Sequence, residues 1–242
     1  MKVELCAASI EAIQLAKELH FDRIELCQNL EQGGMTPSPG LIDYALAYGM
    51  ETHVLIRPRP GGFRYNQDEQ EIMLRDILEC KNMGAHGVVI GVLNEYGTLD
   101  EKSIELMVEK AGVMDVTFHR AFDDTFEYEK SIDLLVNLGV KRILSSGLGS
   151  NVELGLENLK SMVEYANGRI EIMPGGGINQ NNIRKIISEV KPSAVHFSAT
   201  KKHVLDEESR FSETILQVSR EKAVNLLEVI KEFKMVQHLS SK

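Results

Sequence analysis

The sequence predicts an α/β fold, a single (β/α)8 TIM-like barrel over residues 1–242, and three observations carry that expectation. First, the runs Arg23-Ile24-Glu25-Leu26-Cys27, Val116-Thr117-Phe118-His119 and Val195-His196-Phe197-Ser198 alternate apolar with reactive residues. A strand sends successive side chains to opposite faces, so each run has an apolar face and a reactive face. Second, eight such strand candidates alternate with amphipathic helical stretches, the spacing of a barrel of about 250 residues. Third, the chain lacks both the Gly-rich first turn of a doubly wound sheet and any Pro/Gly/Ser linker. A closed parallel barrel gathers one edge of many strands at a single mouth.

The elements follow in order. Strand one is expected at 2–7, with Glu4 and Cys6 on one face, followed by a helix from Ser9, its cap, to His20. Strand two covers 22–27; a loop through Gly33-Gly34-Met35-Thr36-Pro37-Ser38-Pro39 leads into a helix near Pro39 or Gly40. Strand three is expected at 51–57, with His53 and Arg57 sharing a face, and a long loop from Pro58 to Gln67 precedes a helix over Asp68–Met83. Further strands are expected at 86–91, 114–119, 141–145, 169–173 and 193–198, and further helices at 100–111, 126–138, 151–165 and 179–190. A last helix is expected at 219–236.

Composition narrows the function. With 43% hydrophobic and 26% charged residues the chain has material for a core and matches neither a disordered nor a fibrous class. No apolar run approaches the roughly 18 residues of a membrane span, and the N-terminus enters a strand with no signal-peptide core, so a cytoplasmic location and no membrane partner are expected. A net charge of −9 argues against a nucleic-acid partner, which needs a basic surface to displace counterions. Three cysteines with no CxxC spacing read as reduced thiols.

Strand parity turns Val3, Leu5, Ile24, Leu26, Val116, Phe118, Val195 and Phe197 toward helices. It turns Glu4, Cys6, Glu25, Cys27, His53, Arg57, Thr117, His119, Glu171, His196 and Ser198 inward, either around one water-accessible cavity at the C-terminal strand ends or into a compensated ionic network. In the network alternative, Glu4, Glu25 and Glu171 neutralise Arg57 and protonated histidines. Cys6 and Cys27 take the same place on consecutive strands, where thiolates suit a soft ion. Cys80 sits at an apolar-periodic helix position and reads as packing. His119, Glu25 and Arg57 form a candidate acid–base set, and a nearby carboxylate would set the tautomer of His119; Asp123 would alternatively cap the next helix. Arg57 and Arg59, with Arg120 as a further member, suit a carboxylate or phosphate clamp. Gly175, Gly176 and Gly177 after strand seven and Ser198 after strand eight match the place of a barrel anion site, to which Ser145 and Ser146 add donors. The ligand expected from these residues is a metal ion, a small anion, or both; no organic cofactor is indicated.

The segments Glu25-Leu26-Cys27, Gly33-Gly34-Met35-Thr36-Pro37-Ser38, Ile56-Arg57-Pro58-Arg59, Gly62-Phe63-Arg64-Tyr65, Thr117-Phe118-His119-Arg120-Ala121-Phe122-Asp123 and Ser145-Ser146-Gly147 resemble the signature segments of the CutC copper homeostasis family. The resemblance runs from the first strand to about residue 200, and departs from the pattern at Pro60, which enlarges a loop, and at Ser145, where a threonine is more usual. It implies a cytosolic TIM-like barrel, a homo-oligomer such as a dimer or tetramer, and copper bound as Cu(I), with ligands that map onto Cys6 and Cys27. It supplies no reaction.

Overall fold

The computed structural model describes residues 1–205, 208, 210 and 213–240. Eight parallel strands form the barrel: β1 (Lys2–Ala7), β2 (Arg23–Leu26), β3 (Thr52–Leu55), β4 (Gly87–Ile90), β5 (Asp115–Phe118), β6 (Arg142–Ser145), β7 (Glu171–Pro174) and β8 (Ala194–Phe197). They run in the order β7-β6-β5-β4-β3-β2-β1-β8. Because β8 pairs with β1, the sheet closes on itself except between β7 and β8, which lie side by side with no ladder among the described residues. The register sets Cys6 opposite Glu25, Glu4 opposite His196 and Glu25 opposite His53. Reactive residues of neighbouring strands therefore stand close in height.

Helices α1 (Ile10–Glu18), α2 (Pro39–Ala47), α3 (Gln67–Met83), α4 (Glu101–Ala111), α5 (Tyr128–Asn137), α6 (Leu156–Ala166), α7 (Ile183–Val190) and α8 (Arg220–Ser240) complete the fold. Local chemistry sets their ends. Ser9 Oγ accepts the Ala12 N–H at α1, Asn66 and Glu69 form a reciprocal capping box at α3, and Gly84 stops α3 with a φ of +83°. Two helices begin later than the apolar spacing predicts. Asn151 Oδ1 accepts the N–H groups of Glu153 and Leu154, and Asn179 Oδ1 accepts that of Asn181, so each stretch turns before its helix can start.

The apolar strand face does what parity predicts: Leu5, Ile24, Leu26, Phe118 and Val195 are wholly buried in the core between barrel and helices. Cys80, on α3, belongs to that core. After β8 the chain forms an antiparallel hairpin, β9 (Thr200–Val204) and β10 (Thr214–Val218), which the sequence reading leaves unassigned. The Leu216 N–H reaches the Glu31 carboxylate, so the hairpin leans on the loop after β2. No helix among the described residues is long and apolar enough to cross a membrane.

Candidate functional site

Much of the inward set is buried in the lumen. Glu4, Arg23, His53, Thr117 and Arg142 are all nearly inaccessible, and they form a connected ionic network. The Arg23 guanidinium binds Glu4 and approaches Glu51 at 3.7 Å. On the other side of the lumen Arg142 binds Asp115 at 2.6 Å and Thr117 Oγ1 at 3.0 Å, and stands 3.2 Å from His53 Nδ1 and 3.4 Å from Glu171. The neutralising cations are thus Arg23 and Arg142, not Arg57. Parity contains both signals, since Arg23 shares a face with Glu25, and Arg142 opens β6 opposite Glu171.

Above this network, at the ends of β1, β2 and β8, lies a second group. Cys6 Sγ and Cys27 Sγ are 3.7 Å apart as free thiols, packed with Leu55 and Val89 in an apolar patch of the lumen. Donor atoms of Cys6, Glu25 and His196 lie within 4.8 Å of one another. His196 Nδ1 is 2.7 Å from Glu4 Oε1 and 4.0 Å from Glu25 Oε2, and the latter has no hydrogen-bond partner among the described residues.

Electrostatics separates these groups. Burial, opposed by His196, lifts the Glu25 carboxyl to about 7. Burial also works against ionising Glu4, yet His196, Arg23 and His53 outweigh it and hold that carboxyl at about 2. Burial likewise opposes charge on His196, but Glu25, Cys6 and Glu4 keep its pKa well above the ordinary value. The contact with Cys27 and then burial hold the Cys6 thiol well above its ordinary range.

His119 occupies a different corner. It begins the 3-10 turn Arg120–Asp124, and its Nδ1 accepts the Ala121 N–H at 3.0 Å, which leaves the proton of the neutral ring on Nε2. A backbone amide therefore sets the tautomer, not a carboxylate. Gly91 makes room for the ring: a Cβ there would stand 2.1 Å from His119 Cε1. A glycine just past a strand end is the available sequence sign of such an approach. The Phe63 ring, its centroid 4.8 Å from that of His119, is also 5.4 Å from Arg57 Cζ.

Burial first, and then the Arg57 cation, hold the His119 pKa at about 3, so the ring is neutral at pH 7. Its folded value lies below the ordinary 6.5, so the unfolded chain takes up a proton first. The His119 contribution to stability is therefore complete above pH 6.5 and falls as the pH drops toward 3. Urea unfolding of His119→Gln is expected to lose stability less steeply than the parent across that window; equal slopes would contradict the assignment.

Arg57 donates from Nη1 to the carbonyls of Gln32 and Gly34 and from Nη2 to that of Gly61, while its Nε is buried and its side chain engages that of Tyr65. Arg59 directs all five donors at Glu69, Pro60, Gly62 and Arg64, which leaves it none for an anion unless this loop unclips. The arginine against the glycine loop is Arg120: a Cβ on Gly176 would stand 3.0 Å from its Cζ. Gly177 and Ser198 line one cleft of about 520 Å³ with Thr200, Lys201 and Lys222, and Arg57 is not among its walls. Asp123 caps no helix. Its carboxylate takes bonds from Ser145 Oγ, Ser146 Oγ, the Ser146 and Leu148 N–H groups and Arg120 Nε, so the two serines serve that loop.

Eight parallel strands around a polar lumen, with two thiols, an imidazole and a carboxylate at the C-terminal end, define a TIM-like barrel with a candidate metal centre. The chain belongs to the CutC family, whose sequence profile matches residues 1–201. A family protein CutC of Enterococcus faecalis is 43% identical over 201 residues, 80% of this chain and 96% of that one. Another, of Glaesserella parasuis, is 40% identical over 200 residues, 82% of each. The crystal structure of a CutC from Streptococcus agalactiae, named for copper homeostasis, superposes with a TM-score of 0.78 at 36% identity, covering 82% of this chain and 98% of that one. Phosphoribosyl anthranilate isomerase of Thermotoga maritima, at 14% identity and a TM-score of 0.60 over 96% of this chain and 99% of that one, shares the fold alone.

Proposed function

We propose that this is a cytoplasmic copper homeostasis protein that holds Cu(I) between Cys6 and Cys27 at the C-terminal strand ends. The observation that carries the reading is the pair of buried free thiols 3.7 Å apart. Sulfur ligands select Cu(I) over hard cations, and the Leu55 and Val89 side chains beside them keep the sulfurs away from water. The name of the Streptococcus agalactiae relative supports the same assignment. A homo-oligomer, dimer or tetramer, is part of the proposal, and sedimentation measures it directly.

The test is Cu(I) titration against a competing chelator under reducing conditions. Cys6→Ser and Cys27→Ser are each expected to weaken binding by more than the 10- to 100-fold typical of losing an outer-shell partner, because a ligand itself is removed. Cys80→Ser, altered on the core face of α3, should bind as the parent does. Unchanged affinity in the double Cys6→Ser, Cys27→Ser variant would remove the ligand assignment.

A second reading has its own support. His119 Nε2 is buried without a hydrogen-bond partner among the described residues, and Arg57 Nε and Tyr65 Oη are buried donors on side chains that engage each other. Such groups suit a small carboxylated or phosphorylated metabolite and acid–base chemistry on it, with His119 as a neutral donor and Glu25 as the carboxyl that titrates near 7. Gly177 and Ser198, which share a cleft with Lys201 and Lys222 apart from Arg57, offer this reading a second anion-binding segment. Copper binding should need Cys6 and Cys27 and spare Arg57, whereas anion binding should need Arg57. Thermal-shift screening of such metabolites decides it: if millimolar anions fail to stabilise the parent, or stabilise Arg57→Ala equally, this reading is lost.

A further inference from the structure

His196 is held from behind. Its Nδ1 is engaged by Glu4 Oε1 at 2.7 Å, and the other Glu4 oxygen binds Arg23, with both of those side chains only 1% exposed. With Nδ1 committed, Nε2 is the ring's remaining nitrogen, and the ring stands among the Cys6 sulfur and the Glu25 carboxylate. A carboxylate on one imidazole nitrogen, fixing the orientation of the ring, is the outer-shell arrangement that metal-bound histidines nearly always show.

We propose that His196 is a metal ligand oriented by Glu4, and that the three clustered donors Cys6, His196 and Glu25, joined by Cys27 through its contact with Cys6, form a four-donor site of the Zn(II) type. The proposal rests on the reading that the two thiols bind metal, and extends it to the donor count and the class of ion.

Two observations suit such a site. With metal–sulfur bonds of about 2.3 Å, sulfurs 3.7 Å apart subtend an angle of about 107° at the metal, close to tetrahedral, so both thiols fit a site with further donors. Glu25 Oε2 is also a buried oxygen that no described group satisfies, and a cation beside the thiols would satisfy it. Two sulfurs, a nitrogen and an oxygen are a donor set that Zn(II) accepts readily.

Co(II), which reports tetrahedral sulfur-containing sites by its visible absorption, is the probe. The full-length chain under reducing conditions is expected to bind one Co(II) with tetrahedral ligand-field bands and a sulfur-to-metal charge-transfer band, and to release it to Zn(II). In His196→Ala the tetrahedral spectrum should be lost. Glu4→Gln should keep the spectrum but lower Zn(II) affinity about 10- to 100-fold, and Glu4→Asp should recover part of that loss. X-ray absorption of the Zn(II)-loaded parent counts its sulfur and nitrogen or oxygen donors without any substitution, which covers the case of a variant that fails to fold. If the parent takes Cu(I) in a manner that needs Cys6 and Cys27 but binds neither Co(II) nor Zn(II), or if the loaded parent shows only sulfur donors, the four-donor site is overturned while the copper reading stands. Binding of no metal at all overturns both.

Discussion

Arg23→Met is expected to destabilise the protein by about 3–5 kcal/mol, the usual cost of stripping one partner from a buried ion pair. Glu4 and Arg23 are each 1% exposed, so no solvent relieves the charge left on Glu4 when the guanidinium goes. His196 compensates only in part, and Arg23 also sits against the sulfur of Met173 at 3.5 Å. For a domain whose total stability is typically about 5–15 kcal/mol, such a loss is severe. The double variant Glu4→Leu, Arg23→Met, which removes both charges, should lose less than Arg23→Met alone. Urea midpoints at constant m-value measure the difference; a double variant as damaged as the single one would show that the pair's charges are not what matters.

Asp123→Ala ranks beside it. The carboxylate is 8% exposed and serves Ser145, Ser146, Leu148 and Arg120 together. Its loss leaves the Ser146 and Leu148 N–H groups without an acceptor, at about 1–3 kcal/mol for each buried group left unmatched. A total near 3 kcal/mol or more is expected, concentrated in the turn where Gly147 and Leu148 hold φ values of +76° and +59°. Hydrogen exchange at Ser146 and Leu148 should accelerate far more than at β1. Uniform acceleration would mean that the carboxylate supports the whole barrel instead of this loop.

The barrel and the inward set were legible because both depend on a period of two, which survives whatever packs around the strands. Parity alone places Glu25, Cys27 and His196 correctly. What parity cannot supply is the partner of each charge. Arg57 and Arg59 look like an anion clamp in sequence, yet their donors go chiefly to loop carbonyls and to Glu69, because a long loop must satisfy its own backbone before it can offer anything outward. Asp123 fails the same way: an acid shortly before a helix resembles a cap, but the turn it closes comes from residues 145–148, distant in sequence. Parity turns His196 inward, but its likeness to a ligand depends on Glu4, from the opposite end of the chain, standing behind it.

The gap between β7 and β8 makes this barrel a split ring rather than a hoop. Cys6, Glu4, Glu25, Cys27 and His196 all lie on or just past the ends of β8, β1 and β2, one arc to one side of the split, whereas Arg120, Asp123 and Gly176 belong to the arc of β5, β6 and β7 on the other. The thiol and imidazole cluster therefore does not span the split: β8 is laddered to β1 and β1 to β2, so the strands that carry its donors are held to one another directly.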